Sequence, residues 1–178
     1  MARPDRRTSR ARDGAYDLLG IYLNDHLLGS TGGLELLGRL ARAHRGTPDG
    51  AVLARLEAEV NADRDALREI MRGLGVRERR YKLVAAWVAE KAGRLKANGY
   101  LVRRSPLSSV VELEAMMLGV CGKAALWRAL LERAGDDARL DAAELAALSE
   151  RAERQAAELE TLRVKCAALA FGRPAVPT

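Results

Sequence analysis

Apolar residues recur along this chain at intervals of three and four, the period of an α-helix that buries one face. In LARLEAEVNADRDALREIMRGL, residues 53–74, they fall at Leu53, Leu56, Val60, Leu67, Ile70 and Leu74. One turn is skipped, and the residue in the gap is Asp63. A carboxylate inside a core stripe is costly unless protonated, paired or hydrogen-bonded, so the gap marks a place where the fold needs a second group.

The same periodicity predicts five helices. The first runs from about 14 to 44 and carries two adjacent stripes, one through Leu19, Tyr22, His26, Gly29, Gly33, Leu36 and Leu40, the other through Leu23, Leu27, Ser30, Leu34, Leu37 and Ala41. RGTPDG breaks it, and the second helix covers about 49–74, ended by Gly75. A shorter third helix, YKLVAAWVAEKAGRLKAN, is expected over about 80–98. Ser105-Pro106 is a helix start, and the fourth helix follows over 106–134, with Val110, Leu113, Met117, Val120, Ala124, Trp127 and Leu131 as its seam. The fifth opens with a capping box from Asp141 to Glu144. It carries the heptad Leu145, Leu148, Ala152, Gln155, Leu159, Leu162, Cys166 and Leu169, in which Gln155 is the single uncharged polar member. Short connectors between such elements predict an all-α, antiparallel up-and-down bundle of four long helices plus one shorter. Residues 1–13 lack periodicity and read as a disordered basic arm, 14–171 as a single domain, and 172–178 as a frayed tail.

Composition sharpens this picture in three ways. At 178 residues and 48% hydrophobic content the chain can bury a core without a disulfide or metal, and with 4% aromatics that core is mainly aliphatic. Cys121 and Cys166 lie in helical patterns outside any CxxC or Cys/His cluster, which suits reduced core residues of a cytoplasmic protein. Charge interrupts every apolar run well short of the roughly 18 residues that a membrane span needs. The basic start lacks the uninterrupted apolar core of an export signal, so neither membrane insertion nor export is expected.

The net charge of +6 is unevenly spread. Residues 72–104 carry ten Lys or Arg against Glu78 and Glu90, whereas 105–171 carries eleven acids against eight bases. A basic half can attract nucleic acid, but there is no helix-turn-helix pattern, and the aromatic interleaving of the basic segment, by Tyr81 and Tyr100, is limited. Abundant Arg solvating helix faces explains the same distribution.

Asp63 has counterparts. His26 occupies a stripe of the first helix, Glu114 a second apolar row of the fourth, and Glu90 a face of small residues on the third. With turn centres near 46–47, 77–78 and 102, antiparallel neighbours bring His26, Asp63, Glu90 and Glu114 within about one helical turn of each other, and Glu59 lies one turn from Asp63.

A helical bundle whose midsection gathers carboxylates and a histidine resembles the ferritin-like superfamily. That resemblance implies iron or manganese held by His26, Glu59, Asp63, Glu90 and Glu114. The superfamily's di-iron sites use two Glu-x-x-His motifs, and this chain has none. Leu23 stands where Glu would precede His26, and Ala62 and Met117 stand where His would follow Glu59 and Glu114. The motif-level departure favours a bundle that has lost its site, or a polar layer closed by hydrogen bonds.

Each candidate also has a plainer reading. Asp63 pairs with Arg64, Arg68 or a cation from a neighbouring helix; His26 is a satisfied core imidazole; Glu90 pairs with Lys91 or Arg94. Gln155 fixes helix register, and Lys123 in GVCGKAALW lacks the strand and spacing of a phosphate loop and takes no catalytic role. The function these readings favour is a non-enzymatic bundle acting through self-association, with residues 145–169 as a homodimer seam, or through a protein partner. The alternatives are a metal-binding protein and a nucleic-acid-associated basic bundle.

Overall fold

The computed structural model describes residues 6–79 and 105–172, with residues 6–17 described as backbone only. Four helices account for nearly all of them: α1 (Arg6–Ala43), α2 (Pro48–Gly73), α3 (Pro106–Ala134) and α4 (Ala142–Phe171). The expected helix over 80–98, with Trp87 and Glu90, lies outside the described residues. α1 starts at Arg6, inside the segment expected to be a disordered arm. Arg and Ala are good helix formers, and extending an existing helix adds a hydrogen bond for each residue fixed.

The helix boundaries follow local chemistry. At the start of α2, Thr47 is the N-cap, its Oγ1 accepting from Gly50 N at 3.1 Å, with Pro48 in the first turn, where no backbone donor is needed. Ser105 caps α3 in the same way, accepting from Leu107 N at 3.2 Å. Asp141 caps α4 with one oxygen, accepting from Ala143 N and Glu144 N. After α2 the chain turns through Gly75 at φ +74°, a conformation that favours glycine.

α3 packs most extensively on α4, α1 packs on α2, and α1 also packs on α3, whereas α2 and α4 approach each other at few points. The shared core takes Leu23, Leu27, Leu37 and Leu40 from α1, Leu53, Leu56, Val60, Leu67 and Met71 from α2, and Val110, Leu113, Met116, Val120, Ala124, Trp127 and Leu130 from α3. From α4 it takes Leu145, Leu148, Ala152, Leu159, Leu162 and Cys166. The second of the two α1 stripes is therefore the one nearer the core. Met71, Met116 and Leu130 displace the adjacent Ile70, Met117 and Leu131 as the fully buried members.

Two expectations are corrected. Cys121 is exposed, because it lies between the α3 seam and the solvent side, whereas Cys166 is buried as its heptad position demands. Leu169, the last heptad member, is 77% exposed, since the seam has run past the end of its neighbours. Among the described residues no helix is long and apolar enough to cross a membrane.

Buried Asp137 locks the α3–α4 turn. It accepts from Arg139 Nε at 2.8 Å, Arg139 Nη2 at 2.7 Å and Arg139 N at 3.3 Å, and it pairs with Arg133 at 3.4 Å. Arg139 also donates to Leu74 O at 3.3 Å, tying the turn to the end of α2. The Arg139 side-chain bonds outweigh the effect of burial and hold the Asp137 carboxyl down at about 2. A carboxyl depressed in the folded state stabilises above its unfolded value, near 3.8, and that contribution is lost as pH falls through about 2. Discounted for the partial exposure of Arg139, it amounts to about 1 kcal/mol. Asp137→Asn is therefore expected to lower stability by about 1 kcal/mol at pH 7 and by progressively less toward pH 2, as read by urea titration across that range.

Candidate functional site

The α2–α4 seam is a ladder of polar side chains. From one end to the other its rungs are Asp49 with Lys165, Arg55 with Glu158, Glu59 with Gln155, and Asp63 with Arg151. The sparse backbone contact between these two helices leaves room for long side chains, which is why charge rather than leucine fills the seam.

The ladder turns inward at Asp63. Its side chain is 1% exposed, and it receives three partners from two other helices. Lys123 of α3 donates to Oδ2. Arg151 of α4 donates to Oδ1, at 2.7 Å from Nε. Gln155 Nε2 completes the shell at 3.3 Å from Oδ2. Gln155, fully buried, is the hub: its amide nitrogen also donates to Glu59 Oε2 at 3.0 Å, and its carbonyl oxygen accepts from Lys123 Nζ at 2.5 Å. A reversed amide would set its oxygen against two carboxylates and its nitrogen against an ammonium, so the chemistry permits one orientation. Arg55 then links Glu59, at 2.8 Å, to Glu158.

Charges balance in this network. Asp63, Glu59 and Glu158 stand against Lys123, Arg151 and Arg55, with exposure rising from the buried Asp63 outward to Arg55. Burial lowers the Lys123 ammonium below the ordinary lysine value, against the attraction of Asp63. Burial acts the other way on Glu59, but hydrogen bonds from Gln155 and Arg55 outweigh it and hold that carboxyl below its ordinary value. Every polar group around Asp63 thus has a partner, which is the condition for keeping charge inside a core.

Of the residues singled out from sequence, Asp63, Glu59 and Gln155 come together here and the others do not. His26 is half-buried on α1, its ring 4.6 Å from that of Tyr22 in an edge-on contact, and burial lowers its pKa. Glu114 is 47% exposed and pairs with Arg163 at 3.6 Å. Glu90 lies outside the described residues. Among the described residues no group of three or more His, Cys, Asp and Glu side chains is placed to hold a metal ion.

Lys123 and Arg151 escaped the sequence reading. Lys123 lies three residues after Val120 and four before Trp127, and Arg151 lies four before Gln155, so each cation is one helical step from a seam residue, but a cation beside a seam ordinarily reaches solvent and does not mark a site by its position alone.

The arrangement is suited to fixing which helices meet and at what height, since sliding α4 by one turn would separate all four rungs. No known protein family matches the chain, and no curated protein or solved structure matches it.

Proposed function

We propose that the chain is a non-enzymatic, antiparallel, ferritin-like helical bundle that acts through self-association. The up-and-down arrangement is supported by partner order: as α2 advances from Asp49 to Asp63, its partners on α4 recede from Lys165 to Arg151. The ferritin-like comparison is one of architecture, with an internally neutralised polar layer at mid-height where that superfamily gathers its ligands.

The observation that carries the reading is the outward face of α3. Ala115, Leu118, Gly122, Ala125 and Ala129 follow one another at three- and four-residue steps, with no charged residue in the row. Leu118 is 71% exposed. Beside it, a Cβ placed on Gly119 or Gly122 would meet nothing within 4 Å. A projecting leucine next to open space over two glycines can be self-complementary under a twofold axis, each Leu118 dropping onto the glycines of the other copy. The residue 145–169 seam is buried within its own chain at every heptad position but the last, so this α3 face is the one we assign to association.

Analytical ultracentrifugation tests the assignment. The chain is expected to dimerise with rising concentration, and Leu118→Glu to be monomeric at about 100 μM with an unchanged helical circular dichroism spectrum, because a carboxylate at an apolar centre costs several kcal/mol of association. A wild-type chain that is monomeric at that concentration, or a Leu118→Glu variant that still dimerises, would overturn it.

A further inference from the structure

A long groove runs between α1 and α2 on the side of the bundle away from the polar ladder. One section encloses about 840 Å³ and the next about 530 Å³, and the two share Gly38, Arg42, Ala54 and Glu57. Its floor is made of small residues, Gly38, Ala51, Ala54 and Ala58. Its rims carry Arg39, Arg42, Arg45 and Arg64 against Glu35 and Glu57.

On other faces Arg55, Arg68, Arg72, Arg128 and Arg163 meet carboxylates. None of the four groove arginines forms an ion pair among the described residues. Arg64 gives Nη2 to Asn61 at 2.8 Å, while its Nε is buried without a hydrogen-bond partner among the described residues.

We propose that this groove docks an acidic amphipathic helix of a protein partner. The alanines of the floor, Ala51, Ala54 and Ala58, admit a helix at close approach, its small apolar face resting there while its carboxylates reach the arginines on the rims. The Glu57 carboxylate and the Arg42 guanidinium both lie over Gly38, 2.9 Å and 3.2 Å from where a Cβ would stand. That pattern favours a peptide over a nucleic-acid backbone, since Glu35 and Glu57 would face the phosphates of a duplex, whereas a helix can set a basic or polar residue opposite each. The inference goes beyond the self-association reading and uses a different face from the α3 dimer.

The test is fluorescence anisotropy of the full chain with a labelled acidic helical peptide of about 18 residues, built of Glu, Ala and Leu, and with a duplex DNA of similar length as a second probe. The peptide is expected to bind at low salt and to weaken about tenfold or more in 0.5 M salt, as exposed charge pairs are screened. Arg39→Glu with Arg42→Glu should weaken it at least about tenfold. Gly38→Leu, which fills the floor without changing charge, should weaken it about fivefold or more while helicity is kept. Undetectable peptide binding, binding indifferent to both variants, or DNA binding that these variants abolish in the absence of peptide binding would overturn the proposal. Dimerisation measured on the same samples separates the two readings, because a chain that dimerises through Leu118 but ignores the peptide loses this inference alone.

Discussion

Asp63→Ala is expected to cost about 3–5 kcal/mol of folding stability, because it strips the shared acceptor from Lys123, Arg151 and Gln155 at once. Removing a favourable contact alone would cost about 1 kcal/mol. The larger figure comes from what remains: a largely buried ammonium on α3 facing an arginine on α4 with nothing between them to neutralise either. For a chain of this size the loss corresponds to a fall of about 6–20 °C in Tm, readable by thermal circular dichroism. Truncation of an exposed member of the ladder is a useful contrast. Arg55 is 49% exposed, and Arg55→Ala should cost less than about 1 kcal/mol. Replacing the three most buried members by apolar residues, Asp63→Leu with Lys123→Met and Gln155→Leu, should restore much of the loss, since the partly exposed Arg151 can turn to solvent. Well-packed apolar groups often equal or exceed a buried ion pair in stability. What such a variant surrenders is the height-specific matching of α2, α3 and α4.

Gly50→Ala is expected to have the second-largest effect, a loss of about 2–4 kcal/mol, although alanine is the better helix former by about 1 kcal/mol. A Cβ at position 50 would stand 2.2 Å from His44 O and 2.8 Å from His44 C. Those are backbone atoms in a tight turn, and His44 O is itself the acceptor for Thr47 N and Thr47 Oγ1. The turn cannot yield without breaking the cap that starts α2. Gly38→Ala provides the control. The atoms nearest its Cβ are the ends of the flexible Glu57 and Arg42 side chains, so the substitution should be neutral or stabilising by up to about 1 kcal/mol. Urea titration of the two variants gives the comparison directly: opposite signs are expected, and equal losses would show that helix propensity and space at these sites have been misjudged.

Periodicity located the four described helices, because each buries an apolar stripe, and the last two start at capping residues visible in sequence, Ser105 and Asp141. It also located Asp63, since a missing apolar position is as regular a signal as a present one. What it could not supply was the neighbour. Equal distance from a turn matches helices that follow one another along the chain, and that rule set Asp63 against His26 and Glu90. In the folded chain Asp63 instead meets Arg151 and Gln155 of α4, which are 88 and 92 residues away in sequence. Helical period tells which face of an element is buried, but not which other element lies on it.

Lys123 illustrates a second limit. A lysine beside a seam ordinarily snorkels to water with its stem along the core, so its position carried no signal until a buried carboxylate lay within reach. Gln155 was legible as an uncharged polar residue in an otherwise apolar heptad, and its role in fixing register fits the geometry, in which one amide joins α2, α3 and α4. Glu59 was legible as one turn from Asp63, though it joins that residue through Gln155 and not through a shared ion.

The central claim is that the polar layer closes on itself, with Asp63 neutralised by Lys123 within a complete hydrogen-bonded set. A double-mutant cycle of Asp63→Ala and Lys123→Met, with stabilities from urea titration, measures that coupling. The account predicts an interaction of about 1.5–3 kcal/mol, the double variant being markedly more stable than the sum of the single losses allows. Losses that add to within about 0.5 kcal/mol would contradict it.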